Sequence, residues 1–127
     1  MSALARYFLA MGCRVGGYDK TETTLTEKLV KEGVKIHYQD DSSLIEDAFK
    51  SKQHTLVIIT PAIPKNHSEW NFFKEQGFEI LKRSQVLGQI TQLNKSIGVA
   101  GTHGKTTISS MISHVFKYCK VPFTAFL

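Results

Sequence analysis

Residues Val99 to Met111 read VAGTHGKTTISSM. An apolar run meets a turn bounded by Gly101 and Gly104. Lys105, Thr106 and Thr107 follow, and then Ile108, Met111, Ile112, Val115 and Phe116 recur at helical spacing. A strand, a glycine turn and a helix in that order hold phosphate. Backbone N–H groups of the turn converge on the anion, and the helix N-terminus adds its positive end. Lys105 supplies a point charge for the terminal phosphates, and the Thr106 hydroxyl is placed to bind Mg2+. The spacing departs from the common G-x-x-x-x-G-K-[ST] loop. Val99 stands at the first glycine position, and Gly101 lies nearer to Gly104 than in that pattern. The alternative is a plain glycine turn capped by Thr106, with Lys105 in solvent.

Other residues carry two readings each. Asp19 closes the segment CRVGGYD. An acid at that point meets a ribose hydroxyl in dinucleotide folds, or it caps a turn. Pro61, Ala62 and Ile63 follow the apolar run TLVIIT, at the strand end where open sheets bind ligands, or they form a strand-ending turn. Arg83 reaches a phosphate or stands solvated at a helix start. His103 lies in the glycine loop, and nothing gives it acid–base work. His37, His54, His67 and His114 read as surface or packing residues, and Trp70, Phe72 and Phe73 as core or interdomain packing. Cys13 and Cys119 form no CxxC, and with five scattered histidines they indicate no zinc site. Cys13 reads as a small apolar residue at a strand start.

The elements that must position these residues alternate. Leu4, Tyr7, Phe8 and Met11 stripe a first helix, ended by Gly12, and a strand follows in CRVGGYD. Leu25, Leu29 and Val30 mark a second helix, and VKIHY a second strand. Ser43 and Glu46 have capping-box spacing before a helical face of Leu44, Ile45, Ala48 and Phe49. The run 55–60 predicts a strand buried on both faces of a parallel sheet. A helix over 68–76, a strand at FEIL, a helix around Val86 to Leu93, a strand at KSIGVA and a strand beginning at VPFTAFL complete the pattern. The fold class is α/β, a parallel sheet covered on both faces.

The whole chain has 127 residues and a net charge of +5. Its basic residues are scattered, without runs or interleaved aromatics. That argues against nucleic acid as a partner and for small phosphorylated anions. Apolar runs are too short to insert in a membrane, and no stretch reads as a signal peptide. A cytoplasmic location is the expectation.

GVAGTHGKTTISSM resembles the loop of the Mur ligase family, which uses G-T-x-G-K-T-[TS]. MSALARYFLAMGCRVGGYD, VIITPAIPKNH and RSQVLGQI are similar to further family segments, so that the likeness covers essentially the whole chain. It implies a Rossmann-like UDP-binding domain over residues 1–94, without its first strand and most of its glycine loop. Residues 95–127 would then be the start of a P-loop ATP-binding domain. Met1 and Ser2 match the end of the family's first glycine motif. The implied activity is ATP-dependent amide formation. The histidine form of the loop points to members that join L-alanine to UDP-N-acetylmuramate through an acyl phosphate, in peptidoglycan precursor synthesis. Lys105 would be catalytic. Gly101, Thr102, His103, Gly104, Lys105, Thr106 and Thr107 would hold ATP, with Mg2+ on Thr106. Ser2, Asp19, Pro61, Ala62, Ile63 and Arg83 would face the UDP substrate. The segment by itself is expected to be inactive. A recycling ligase that joins UDP-N-acetylmuramate to a peptide and a non-catalytic nucleotide-binding module stay open as alternatives.

Overall fold

The computed structural model describes residues Met1–Leu127. The apolar stripe of the first segment forms α1 (Ser2–Ala10), and Leu4 at 1% exposure seats it. Gly12, at φ +81°, turns the chain out of the helix. β1 (Gly16–Tyr18) runs parallel to β2 (Lys35–His37), with Gly17 opposite Ile36. Between them lies α2 (Thr24–Lys31), which opens on a reciprocal cap. The Thr26 amide donates to the Thr23 hydroxyl at 3.2 Å, and the Thr23 amide donates to the Thr26 hydroxyl at 2.8 Å. Both end donors are thereby satisfied, which fixes where the helix starts.

β3 (Val57–Ile59) pairs in parallel with β4 (Ile80–Lys82), with Ile58 opposite Leu81. The crossover between them is α3 (Ser68–Glu75), and α4 (Arg83–Leu93) follows β4 and packs on both strands. The rings of Phe72, Phe73 and Phe78 gather beneath, with Phe73 and Phe78 centroids 5.0 Å apart. This is the packing role expected of Phe72 and Phe73. α5 (Lys105–Tyr118) is the longest helix and buries no residue. The core consists of Leu4, Leu29, Val34, Ile45, Phe78 and Val86.

Several expectations are corrected. The strands form two separate two-stranded parallel sheets in place of one. All three residues of β3 are half-buried, so the strand is not buried on both faces. Residues 42–49 form two 3-10 turns, Ser42–Leu44 and Asp47–Phe49, and no α-helix. The Asp41 carboxylate takes the Ser43 amide at 2.8 Å, so Asp41 is the cap and the expected Ser43–Glu46 box does not form. Ile45 then drops into the core with extended backbone, ψ 116°, which breaks the helical path. Residues 95–100 and 121–127 join no ladder. Ile97 there is 63% exposed, and a strand without a partner leaves its backbone groups to water. Cys13 is exposed and stands before β1.

Candidate functional site

The glycine loop leads into α5 as its sequence predicts. Gly104 is the N-cap, at φ +77° and ψ −1°. That left-handed conformation suits glycine and strains other residues. No side chain caps the helix. The first amides of α5, through Lys105, Thr106 and Thr107, have no carbonyl of their own helix to bond, as at any helix start. Residues 101–107 are all exposed. An open hollow of about 610 Å³ begins beside them, lined by Thr106, Thr107, Ser110, Met111, His114 and Val115. The exposed Lys105 side chain turns back onto the loop. Its ammonium donates to the carbonyls of Gly101 at 2.7 Å and Thr102 at 3.3 Å. The positive charge is thus folded over the loop, next to the open amides of the helix.

A second group converges at the starts of α1 and α4. Ser2 is the first residue of α1, and Arg83 the first of α4. The Met1 amino group feels the charges of both Arg83 and Asp19. Its pKa lies below the ordinary value, first through burial and then through Arg83, with Asp19 opposing. Arg83 is half-buried, and its Nε is buried without a hydrogen-bond partner. Buried polar atoms are nearly always paired, so this one marks a place for an acceptor. Asp19 is exposed and receives the Thr21 amide on Oδ1 at 3.2 Å, which makes it a turn residue in this structure. Pro61 and Ala62 are exposed, and Ile63 is half-buried in a turn where its amide donates to the Thr60 carbonyl.

Histidine is where the sequence expectation is least complete. His37 is half-buried on β2, and its Nε2 meets Glu69 Oε1 at 2.5 Å. His67 is 5% exposed and lies beside Asp40. The local signals are His37-x-x-Asp40 and His67-x-Glu69, and the fold brings the two short pairs into one cluster.

The chain is α/β, built on short parallel strands, and carries a glycine–lysine–threonine turn at a helix N-terminus. A family model described as "Mur ligase family, catalytic domain" matches residues 1–95. The chain belongs to the Mur ligase family. It is 58% identical over all 127 residues to a UDP-N-acetylmuramate–L-alanine ligase of Parabacteroides distasonis, and 55% identical to one of Phocaeicola vulgatus. It spans 28% of the length of each of these relatives. Its fold is similar to the crystal structure of a UDP-N-acetylmuramate:L-alanyl-γ-D-glutamyl-meso-diaminopimelate ligase from Neisseria, at TM-score 0.80 and 26% identity. That likeness covers 94% of this chain and 36% of the other.

Proposed function

We propose that this chain works within an ATP-dependent ligase that joins L-alanine to UDP-N-acetylmuramate, a step in building peptidoglycan precursors in the cytoplasm. Residues 1–94 would be its Rossmann-like UDP-substrate domain, and residues 95–127 the opening of its P-loop domain. The observation that carries the reading is the GTHGKTT loop, which sets an uncapped helix N-terminus and a lysine ammonium side by side. The names of relatives at 58% and 55% identity support the choice of substrates.

When bound, ATP would give its terminal phosphoryl group to the substrate carboxylate and leave as ADP, Mg2+ would neutralise phosphate charge, and the amine of L-alanine would displace inorganic phosphate from the resulting acyl phosphate to form the amide. The chain's own residues position and neutralise. Backbone amides at Lys105, Thr106 and Thr107 are aimed out of the helix, where they receive phosphate oxygens without reorganising. Lys105 exchanges its two carbonyl acceptors for phosphate oxygens and spreads the charge that builds during transfer. The exposed Thr106 hydroxyl offers one oxygen to Mg2+, which otherwise keeps waters. Arg83 and the amides at Ser2 meet the diphosphate of the UDP substrate. Asp19 and the turn Pro61–Ala62–Ile63 border its nucleoside. Holding both substrates in line is the main work of such a site.

The solved structure at TM-score 0.80 belongs to a ligase that takes a peptide, and this favours a second reading of this chain as a recycling ligase. The higher identities to the L-alanine ligases weigh against it. The test is phosphate release by a ligase of the relatives' full length that carries this segment. It is expected to depend on L-alanine and not on the tripeptide. Lys105→Ala is expected to abolish release while UDP-N-acetylmuramate still binds. Undiminished amide formation by that variant would overturn the reading.

A further inference from the structure

Asp40, His67 and Glu69 form a separate cluster of possible donor atoms. One donor atom from each falls within 4.8 Å of the other two. Asp40 follows β2, His67 is the N-cap residue of α3, and Glu69 stands in the first turn of α3. A trio of this kind is common as a plain polar cluster, so the state of His67 decides what it means. His67 is 5% exposed, and neither Nδ1 nor Nε2 has a hydrogen-bond partner. Its Nδ1 is directed at Asp40 Oδ1 but stops at 3.4 Å, too long for a good bond. Its ring packs edge-on against Tyr18, with centroids 4.4 Å apart, so water is kept from that side. A buried imidazole with two unused nitrogens stands beside two carboxylates.

We infer that Asp40, His67 and Glu69 form a site for a divalent transition-metal ion of the zinc type. The donor set is one imidazole and two carboxylates, and with water from the exposed Asp40 side in the fourth position it suits zinc in tetrahedral coordination. Tetrahedral bonds of about 2.1 Å put neighbouring donors about 3.4 Å apart. The trio at up to 4.8 Å therefore has to draw in by rotamer adjustment, while His37 Nε2 stays on Glu69 Oε1 at 2.5 Å and orients that carboxylate from outside. Asp40 is already held in place, because the Ser68 amide and hydroxyl donate to its Oδ1 at 2.8 and 2.6 Å. Outer bonds of this kind orient metal-binding carboxylates. Two carboxylate charges balance the ion. The ion would tie the end of β2 to the start of α3. The site does not depend on the function proposed above.

The test is titration of a chelator-treated ligase of the relatives' full length that carries this segment, in excess Mg2+, with zinc by calorimetry and with cobalt(II) by visible absorption. One equivalent is expected, with cobalt bands of tetrahedral intensity. Asp40→Asn, which changes an exposed side chain and leaves an oxygen for Ser68, is expected to weaken binding at least tenfold, and His67→Gln to do the same. His54→Gln and Cys119→Ser are expected to leave it unchanged. Absence of stoichiometric uptake by the unsubstituted chain would overturn the inference, as would uptake unaffected by both Asp40→Asn and His67→Gln. UDP binding measured in parallel separates this outcome from failure of the proposed function.

Discussion

The guanidinium of Arg6 grips the carboxylate of Glu32 with two bonds, Nε to Oε2 at 2.7 Å and Nη2 to Oε1 at 2.9 Å, and so clamps α1 to the end of α2. A fork of this geometry is the stronger kind of surface ion pair. It holds the Glu32 carboxyl below its ordinary pKa, first through the hydrogen bonds from Arg6. A carboxyl depressed by folding adds stability above its unfolded pKa, about 4.3 for glutamate. That contribution is lost as pH falls through the folded value. An NMR titration of the Glu32 carboxyl carbon is expected to show the low midpoint. Arg6→Met is expected to return it to the ordinary glutamate range, and an unmoved midpoint would mean that the fork does not persist in solution.

Leu4 is the most buried side chain of α1, at 1% exposure, whereas Met11 just past the same helix is 66% exposed. Leu4→Ala removes packed methyl groups and leaves a cavity, at a cost of about 2–5 kcal/mol. Met11→Ala is expected to stay within about 0.5 kcal/mol. Urea denaturation of both variants makes the comparison. Equal effects would contradict the placement of α1.

Arg83 and Asp19 carry unequal expectations for the UDP substrate. The Arg83 Nε is buried without a partner, while Asp19 already receives the Thr21 amide. A hydrogen bond to a charged group contributes about 1.5–3 kcal/mol. Arg83→Met is therefore expected to weaken UDP-N-acetylmuramate about 10- to 100-fold, at 1.4 kcal/mol per tenfold. Asp19→Ala is expected to raise the KM for UDP-N-acetylmuramate more than that for ATP, by a smaller factor than Arg83→Met. Steady-state kinetics of the full-length ligase carrying each change would decide, and equal effects on both substrates would contradict the Asp19 assignment.

What was legible in the sequence was local. The glycine stop at Gly12 and the turn into α5 each depend on residues within a few positions of one another, whereas the Thr23 cap carries the Thr-x-x-Thr spacing that the sequence reading passed over. The two strand pairs were legible as strands but not in their grouping, because pairing depends on contacts far along the chain. Residues 42–49 were misread because helical spacing there competes with the pull of Ile45 into the core. The strand expected at 95–100 failed because its apolar residues find no neighbouring ladder. The turn at Gly101 to Gly104 into a helix was readable although its spacing departs from the common phosphate loop. The His67 cluster was not, since His37 and Glu69 lie 32 positions apart and meet only once α3 has packed across the end of β2.

The apolar stripe of α5 is expected to behave as surface in this chain. Ile108, Met111 and Val115 are 48%, 63% and 54% exposed, and the helix buries nothing. The accessible surface of the chain is 9465 Å² at 14.3 kDa. Folded monomers of that mass expose about 6,800 Å². Ile108, Met111 and Val115 contribute to the excess. Met111→Gln and Val115→Thr are therefore expected to change the stability of the 127-residue chain by no more than about 0.5 kcal/mol each. Amide hydrogens of α5 are expected to exchange faster than those of α1 and α2, because helices hold mainly through the faces they pack. Denaturant midpoints and hydrogen exchange measure both. A loss of about 2 kcal/mol or more from either substitution would show that α5 lies on a core, and slow exchange along it would carry the same meaning.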